Sequence, residues 1–381
     1  MIAAARELRG YRLFFPLALV FGAVAMPVWL VEYGGGPASE HYAGPAWHAH
    51  EMIYGYLGAV IAGFLTVADR GWRVIALAII WVIARIFILA DLPRILVAVV
   101  DWSFLPLVIV LRRPPLWSGA KLLTLGIAAV VAMLAAINAW AHLVPYPAMA
   151  MQTAALGILA LLVIVSGRLV PGHTRAATRR GPGLTLVRSE RVSIVLAAML
   201  IVAGAAGLAP LVALLAGGLG IVQLYRLRHW WDRQVLDDPL LWGLHLGFTW
   251  VVLGLFGHAA AQFGWFTTAD AMHLFLVGGA GTLALAIMMR LIRAQVGEAQ
   301  KGAGIEAFAL ALVTISTAAR VMVPAVFPEW RMPAMTISGA AWSAAQFIVI
   351  AAYSPRFVRG RKGATPVMDR RARSHTGDAR K

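Results

Sequence analysis

In the stretch AWHAHEMIYGYLGAVIAGFL, Ala46 to Leu65, two histidines and a glutamate lead into an apolar run. His48, His50 and Glu51 come directly before Met52 to Val67, which carries no charge. The chain has no cysteine, which excludes thiolate metal sites, disulfides and cysteine redox chemistry. Imidazole is then the commonest remaining ligand for haem iron or copper. At about 100° per residue, His48 and His50 lie about 200° apart around a helix. They point to different faces and cannot easily share one ion. They can serve two neighbouring cofactors, or one can ligate while the other supports it. His48 shares its face with Glu51, Met52 and Gly55. Gly55, Gly58 and Gly63 admit close approach by another helix or by a flat macrocycle. Pro45 favours a helix start just before the histidines.

The elements that carry these groups are apolar helices. Hydrophobic residues make up 61% of the 381-residue chain and charged residues only 13%, against about 25% charged in a soluble domain. The fold class expected is all-α, a polytopic transmembrane bundle of about 12 spans. The spans fall near 14–32, 50–68, 74–90, 95–111, 122–141, 149–170, 192–207, 209–225, 239–260, 271–289, 305–326 and 334–353. The region 192–225 reads as a hairpin or as one helix broken around Ala209-Pro210. Strand alternation is absent, which argues against a β-barrel. The net charge of +16 fits the positive-inside rule better than nucleic-acid binding. With both termini cytoplasmic, all but five of the 33 basic residues fall on the inner side or in the tail. The exceptions are Arg94 and Arg331 in outer loops and Arg85, Arg168 and Arg320 within spans. The expected organisation is one transmembrane domain, 1–353, of two six-span halves, 14–170 and 192–353. A basic cytoplasmic loop, 171–191, joins them, and a basic, disordered tail follows at 354–381. The location implied is an inner, cytoplasmic membrane, multi-pass in the lipid bilayer.

This topology gives each intramembrane ionisable group a depth, and such groups usually face the bundle interior. His48, His50, Glu51, His258, His273, Arg85 and Arg320 come to the outer level. Asp101 lies near mid-membrane in the fourth span. His245, Arg168 and His173 fall toward the inner face. His245 and His258 are 13 residues apart, about 20 Å along a helix, so they serve different sites. The arginines can be charge partners for Glu51 or Asp101, or partners for haem propionates; Arg85 with Asp101 can also be a plain structural ion pair. His229 reads as an interfacial residue, His41, His142, His173 and His375 as loop or tail residues, and Met288 and Met289 as core.

Several stretches together resemble the NnrS family. They are RLFFPLALVFGAVAMPVWL, WHAHEMIYGYLGAVIAGFLTVA, GRLVP at Gly167, PLLWGLHLGFTWVVLGL at Pro239, AMHLFLVGGAGTLALAIMMR at Ala271 and AARVMVPAVF in the eleventh span. The resemblance implies a bacterial membrane protein of the nitric oxide response that carries haem and copper and guards against nitrosative stress during denitrification. It implies His48, His50, His245 and His273 as metal or haem ligands. Arg85, Arg168 and Arg320 stand as cofactor-binding arginines, with Glu51, Met52 and Arg290 behind them. After Arg290 the chain reads LIRAQVGEAQ, where the family often has Gly-His-Thr. The inner-level His245 is expected to serve a second site, with Arg168 near it. Two other functions fit the same residues: a secondary transporter with ionisable groups on its path, and an assembly factor for another metalloprotein. No residue stands out as catalytic, and nitric oxide or a related small molecule is the ligand implied.

Overall fold

A computed structural model describes residues 8–36, 44–117, 122–144, 147–178, 186–265 and 267–358. Its elements are helices, and no strand occurs among the described residues beyond one antiparallel bridge between Arg9 and Arg70. In chain order α1 is Gly10–Tyr33, and α2 is a rod built of Pro45–His50, Glu51–Leu57 and Gly58–Leu65. Then come α3 Trp72–Leu89, α4 Arg94–Trp117, α5 Leu122–Leu143 and α6 Ala148–Thr178. The second half has α7 Val187–Ala205, α8 Ala209–Trp230, α9 Pro239–Ala261, and α10, built of Thr268–His273, Leu274–Gly281 and Thr282–Val296. It ends with α11 Gly304–Val326 and α12 Arg331–Val358.

Ten of these rods are long and apolar enough to cross a membrane. The other two, α2 and α7, differ for visible reasons. The first turns of α7 carry Arg188, Glu190 and Arg191, and the first turns of α2 carry His48, His50 and Glu51. The region after residue 191 is a hairpin: α7 and α8 meet at Gly207, whose φ of +67° suits glycine, and Pro210 opens α8. The sixth helix runs on to Thr178 through Pro171, so the expected loop 171–191 is helical over its first part and again from Val187. Likewise α12 continues through Pro355 to Val358, into the segment expected as tail. The rest of the tail, with His375, and His41 lie outside the described residues.

Most sequential helices pack on one another, and α1 lies along α12. Gly55 and Gly63 of α2 meet Phe21 and Phe15 of α1, where an added Cβ would approach to 2.5 and 2.4 Å. The glycines of α2 therefore serve helix packing. Around Gly58 there is more room.

Two polar ends result. At one, Arg112 pairs with Asp69 at 2.8 Å, Arg9 donates to Gln295 at 3.0 Å, and Arg356 pairs with Glu298 at 2.9 Å. At the other stand the mouth of α2, the start of α10 and the end of α11. The histidines of greatest interest lie there.

Candidate functional site

Of the residues expected at one outer level, His48, His273 and Arg320 go to one site and His50, Glu51 and Arg85 to a neighbouring site on the other side of α2, where Asp101, expected near mid-membrane, joins them; His258 joins neither. The first is a cavity of about 420 Å³ between α1, α2, α6, α10, α11 and α12. Its wall is mostly apolar, with methionines such as Met52 and aromatic rings such as Trp29 and Trp342. His48 from α2 and His273 from α10 face it, with Arg320 of α11 and Arg331 at the start of α12. The two imidazole rings are nearly parallel, 7° apart in plane, with centres 6.1 Å apart. Trp29 packs on His48 with ring centres 4.3 Å apart. The Nδ1 of His273 lies 2.6 Å from the Ala269 carbonyl one turn back. A carbonyl can only accept, so Nδ1 holds the proton and Nε2 keeps its lone pair.

Two donors in this cavity wall are buried without an acceptor, Nε of Arg320 and Nε1 of Trp29. An unmet donor in an apolar site costs free energy. Arg320 is held in place through its other end, donating from NH1 to Asp270 at 2.6 Å. Thr267 in turn caps the helix carrying Asp270, accepting its backbone N–H at 3.0 Å.

The second site is a buried polar cluster across α2, α3, α4 and α5. His50 Nδ1 lies 2.9 Å from Glu51, and its Nε2 lies 3.0 Å from the Asn138 amide oxygen and 3.2 Å from Asp101. Asp101 accepts from Asn138 at 2.7 Å and faces His142 Nε2 at 3.0 Å. Arg85 forms an ion pair with Asp101 and lies 3.5 Å from Glu51. His50, Asp101 and His142 each offer one atom, all within 4.8 Å of one another, a spacing that could hold a metal ion.

Two members of this cluster escape a reading of the sequence. His142, expected as a loop residue, lies in the last turn of α5 and turns inward to Asp101. Asn138, one turn earlier on the same face, carries no charge; its spacing of four from His142 is the signal that could have found it. His173, also expected as a loop residue, lies within α6 because that helix continues past Pro171.

The remaining candidates sit apart. His245 is buried near the opposite end. Its Nδ1 faces the Leu241 carbonyl at 3.1 Å, and its Nε2 faces Trp230 O and Thr174 Oγ1, each at 3.4 Å. Arg168 is half exposed and pairs with Glu190 at 3.2 Å. Arg290 pairs with Asp238 at 3.0 Å, the residue that also caps α9. His258 is buried on α9 and does not line the cavity.

Fold and sites together define a many-helix protein with apolar spans, enclosing an apolar cavity faced by histidine and arginine beside a buried ion cluster. The sequence model for the family described as NnrS protein matches residues 8–361, nearly the whole chain, and the protein belongs to the NnrS family. No curated protein matches it.

Proposed function

We propose that the protein binds haem in the cavity between His48 and His273, holds copper at the His50, Asp101 and His142 cluster, and protects the cell against nitric oxide. The observation that carries the reading is the apolar cavity onto which His48 and His273 both open, their ring centres 6.1 Å apart, beside Arg320. Three features of the chain suit haem. Nε2 of His273 is left available by the hydrogen bond to Ala269, the arrangement that orients ligating histidines. The acceptor-free Nε of Arg320 and Nε1 of Trp29 are donors that carboxylates would satisfy. The cavity wall is apolar enough to exclude water from a flat macrocycle. Bound haem would supply iron that could take up nitric oxide where one of the two imidazoles yields its place.

In the cluster, imidazole nitrogens with one carboxylate oxygen suit copper among the first-row metals. Arg85 balances the charge of Asp101 and Glu51, and Asn138 orients His50. The nitric oxide role comes from the family resemblance, and the donors supply metal competence. We further read α2 and α7 as crossing the membrane with the other ten rods. That gives twelve spans, both termini in the cytoplasm, and the cavity toward the outer face of a bacterial inner membrane. The basic residues at the Arg9, Arg112 and Arg356 end support this orientation.

The test is an optical spectrum and metal analysis of the full chain purified in detergent. A Soret band that shifts on adding nitric oxide, with copper in the same sample, is the expected result. Pure protein without haem, and unable to take up added haemin, sinks the cofactor reading. A reporter fused after Lys381 is expected to be active only in its cytoplasmic form.

A further inference from the structure

Both rods that bring a histidine to the cavity turn π-helical within three residues after it. Glu51–Leu57 of α2 and Leu274–Gly281 of α10 are π-helical, the one starting directly after His50 and the other directly after His273. In α2 the Gly58 N–H reaches back five residues to the Ile53 carbonyl. A π turn carries one residue more than an α turn, has poorer hydrogen bonds, and is kept mostly at functional sites. One added residue rotates the N-terminal part of a rod by about 100° and moves it by about 1.5 Å relative to the C-terminal part. The inner half of α2 is locked by Phe15 against Gly63. The π turn therefore decides where His48 points.

That turn has a strap. Trp81 of α3 donates its Nε1–H to the Gly55 carbonyl at 3.1 Å. The Gly55 carbonyl also accepts from the Gly58 N–H within the turn, so the indole N–H adds a second bond to its other lone pair. Trp81 is itself fixed, buried edge-on to Phe21 with ring centres 5.4 Å apart and with the Arg85 guanidinium 5.8 Å from its ring centre. A side chain at position 55 would meet Phe21 at 2.5 Å and Arg85 at 3.1 Å, so glycine keeps this carbonyl close to Trp81.

We propose that Trp81 is a positioning residue: through the Gly55 carbonyl it holds the π turn of α2 and so aims His48 across the cavity at His273. This rests on the reading of His48 and His273 as a ligand pair. Relaxation of the turn to regular α-helix swings His48 off the line to His273.

Trp81→Phe keeps an aromatic ring against Phe21 and removes only the N–H. Two measurements read its effect. Haemin titrated into the purified full chain should bind about tenfold more weakly to Trp81→Phe than to the parent, with a shifted Soret band. The second needs no haem. Because the chain lacks cysteine, the pair His48→Cys and His273→Cys can be bridged in membranes by a short bis-methanethiosulfonate. Adding Trp81→Phe should slow that bridging at least fivefold. Unchanged bridging overturns the proposal, whatever happens to haemin. Slowed bridging in a chain whose parent binds no haemin upholds the positioning role and sinks the haem reading. Bridging is read in the membrane, so a variant too unstable to purify still gives an answer.

Discussion

His48 and His50 are two residues apart on α2, yet one faces an apolar cavity and the other closes a network of Glu51, Arg85, Asp101, Asn138 and His142. In the network, Asp101 alone meets Arg85, Asn138, His50 and His142. Around the cavity, Arg320 and Trp29 each keep one donor without an acceptor. Charges paired across helices hold those helices together and cost dearly when one is removed. Groups left unsatisfied cost free energy until a ligand arrives, so their removal should spare the fold and hurt binding. The same helix thus supports an ion-paired cluster that ties α3, α4 and α5 to it on one face, where a metal would add to the tie, and an open apolar cavity on the other.

The contrast can be broken at the cluster first, where the largest effect is expected. Asp101→Ala leaves Arg85 and two histidines buried without their shared acceptor. A broken buried pair costs about 3–5 kcal/mol, so this variant should lose most of its folded yield and melt well below the parent by fluorescence in detergent. A parent-like melting curve would mean the cluster is no brace.

At the cavity the order of effects reverses. His48→Ala and His273→Ala should each abolish or strongly shift the Soret band while melting close to the parent. A wild-type spectrum in the double variant would place the ligands elsewhere. Arg320→Gln should be milder, weakening haemin affinity about tenfold, which corresponds to about 1.4 kcal/mol. If Arg320→Gln instead lowers the melting temperature and leaves haemin affinity alone, its pairing with Asp270 is purely structural.

The smallest spectral effect belongs to His245. Its nitrogens face Leu241, Trp230 and Thr174 far from the cavity. His245→Ala should leave the Soret band unchanged and cost about 1–3 kcal/mol, as expected for breaking a buried hydrogen-bond set. Loss of the same haem signal as in His48→Ala would join His245 to the cavity site and overturn the separation.

Much of the fold is legible in the chain because lipid-facing helices declare themselves by length and apolar composition. The helix start at Pro45, the divergence of His48 from His50, and the pairing of Arg85 with Asp101 all follow from helical geometry and the cost of buried charge. His142 is misplaced by such reasoning because it stands at a helix end, where the sequence cannot distinguish an inward from an outward side chain. Asn138 escapes it because an uncharged amide in an apolar helix gives no signal until its neighbour is known.

The sequence by itself determined the class of fold and its apolar rods, since these depend on local composition and on spacing along one helix; depth read from it put Asp101 near mid-membrane, away from the His50 it touches. Only the tertiary structure decided which groups at one depth touch. Depth orders residues along the bundle axis and says nothing of the angle about it. His48 meets His273 while His50 meets Asp101 because of the rotation of each rod about its own axis. That rotation is set by contacts between helices, Phe15 on Gly63, Phe21 on Gly55 and Trp81 on the Gly55 carbonyl, which join residues far apart in the chain.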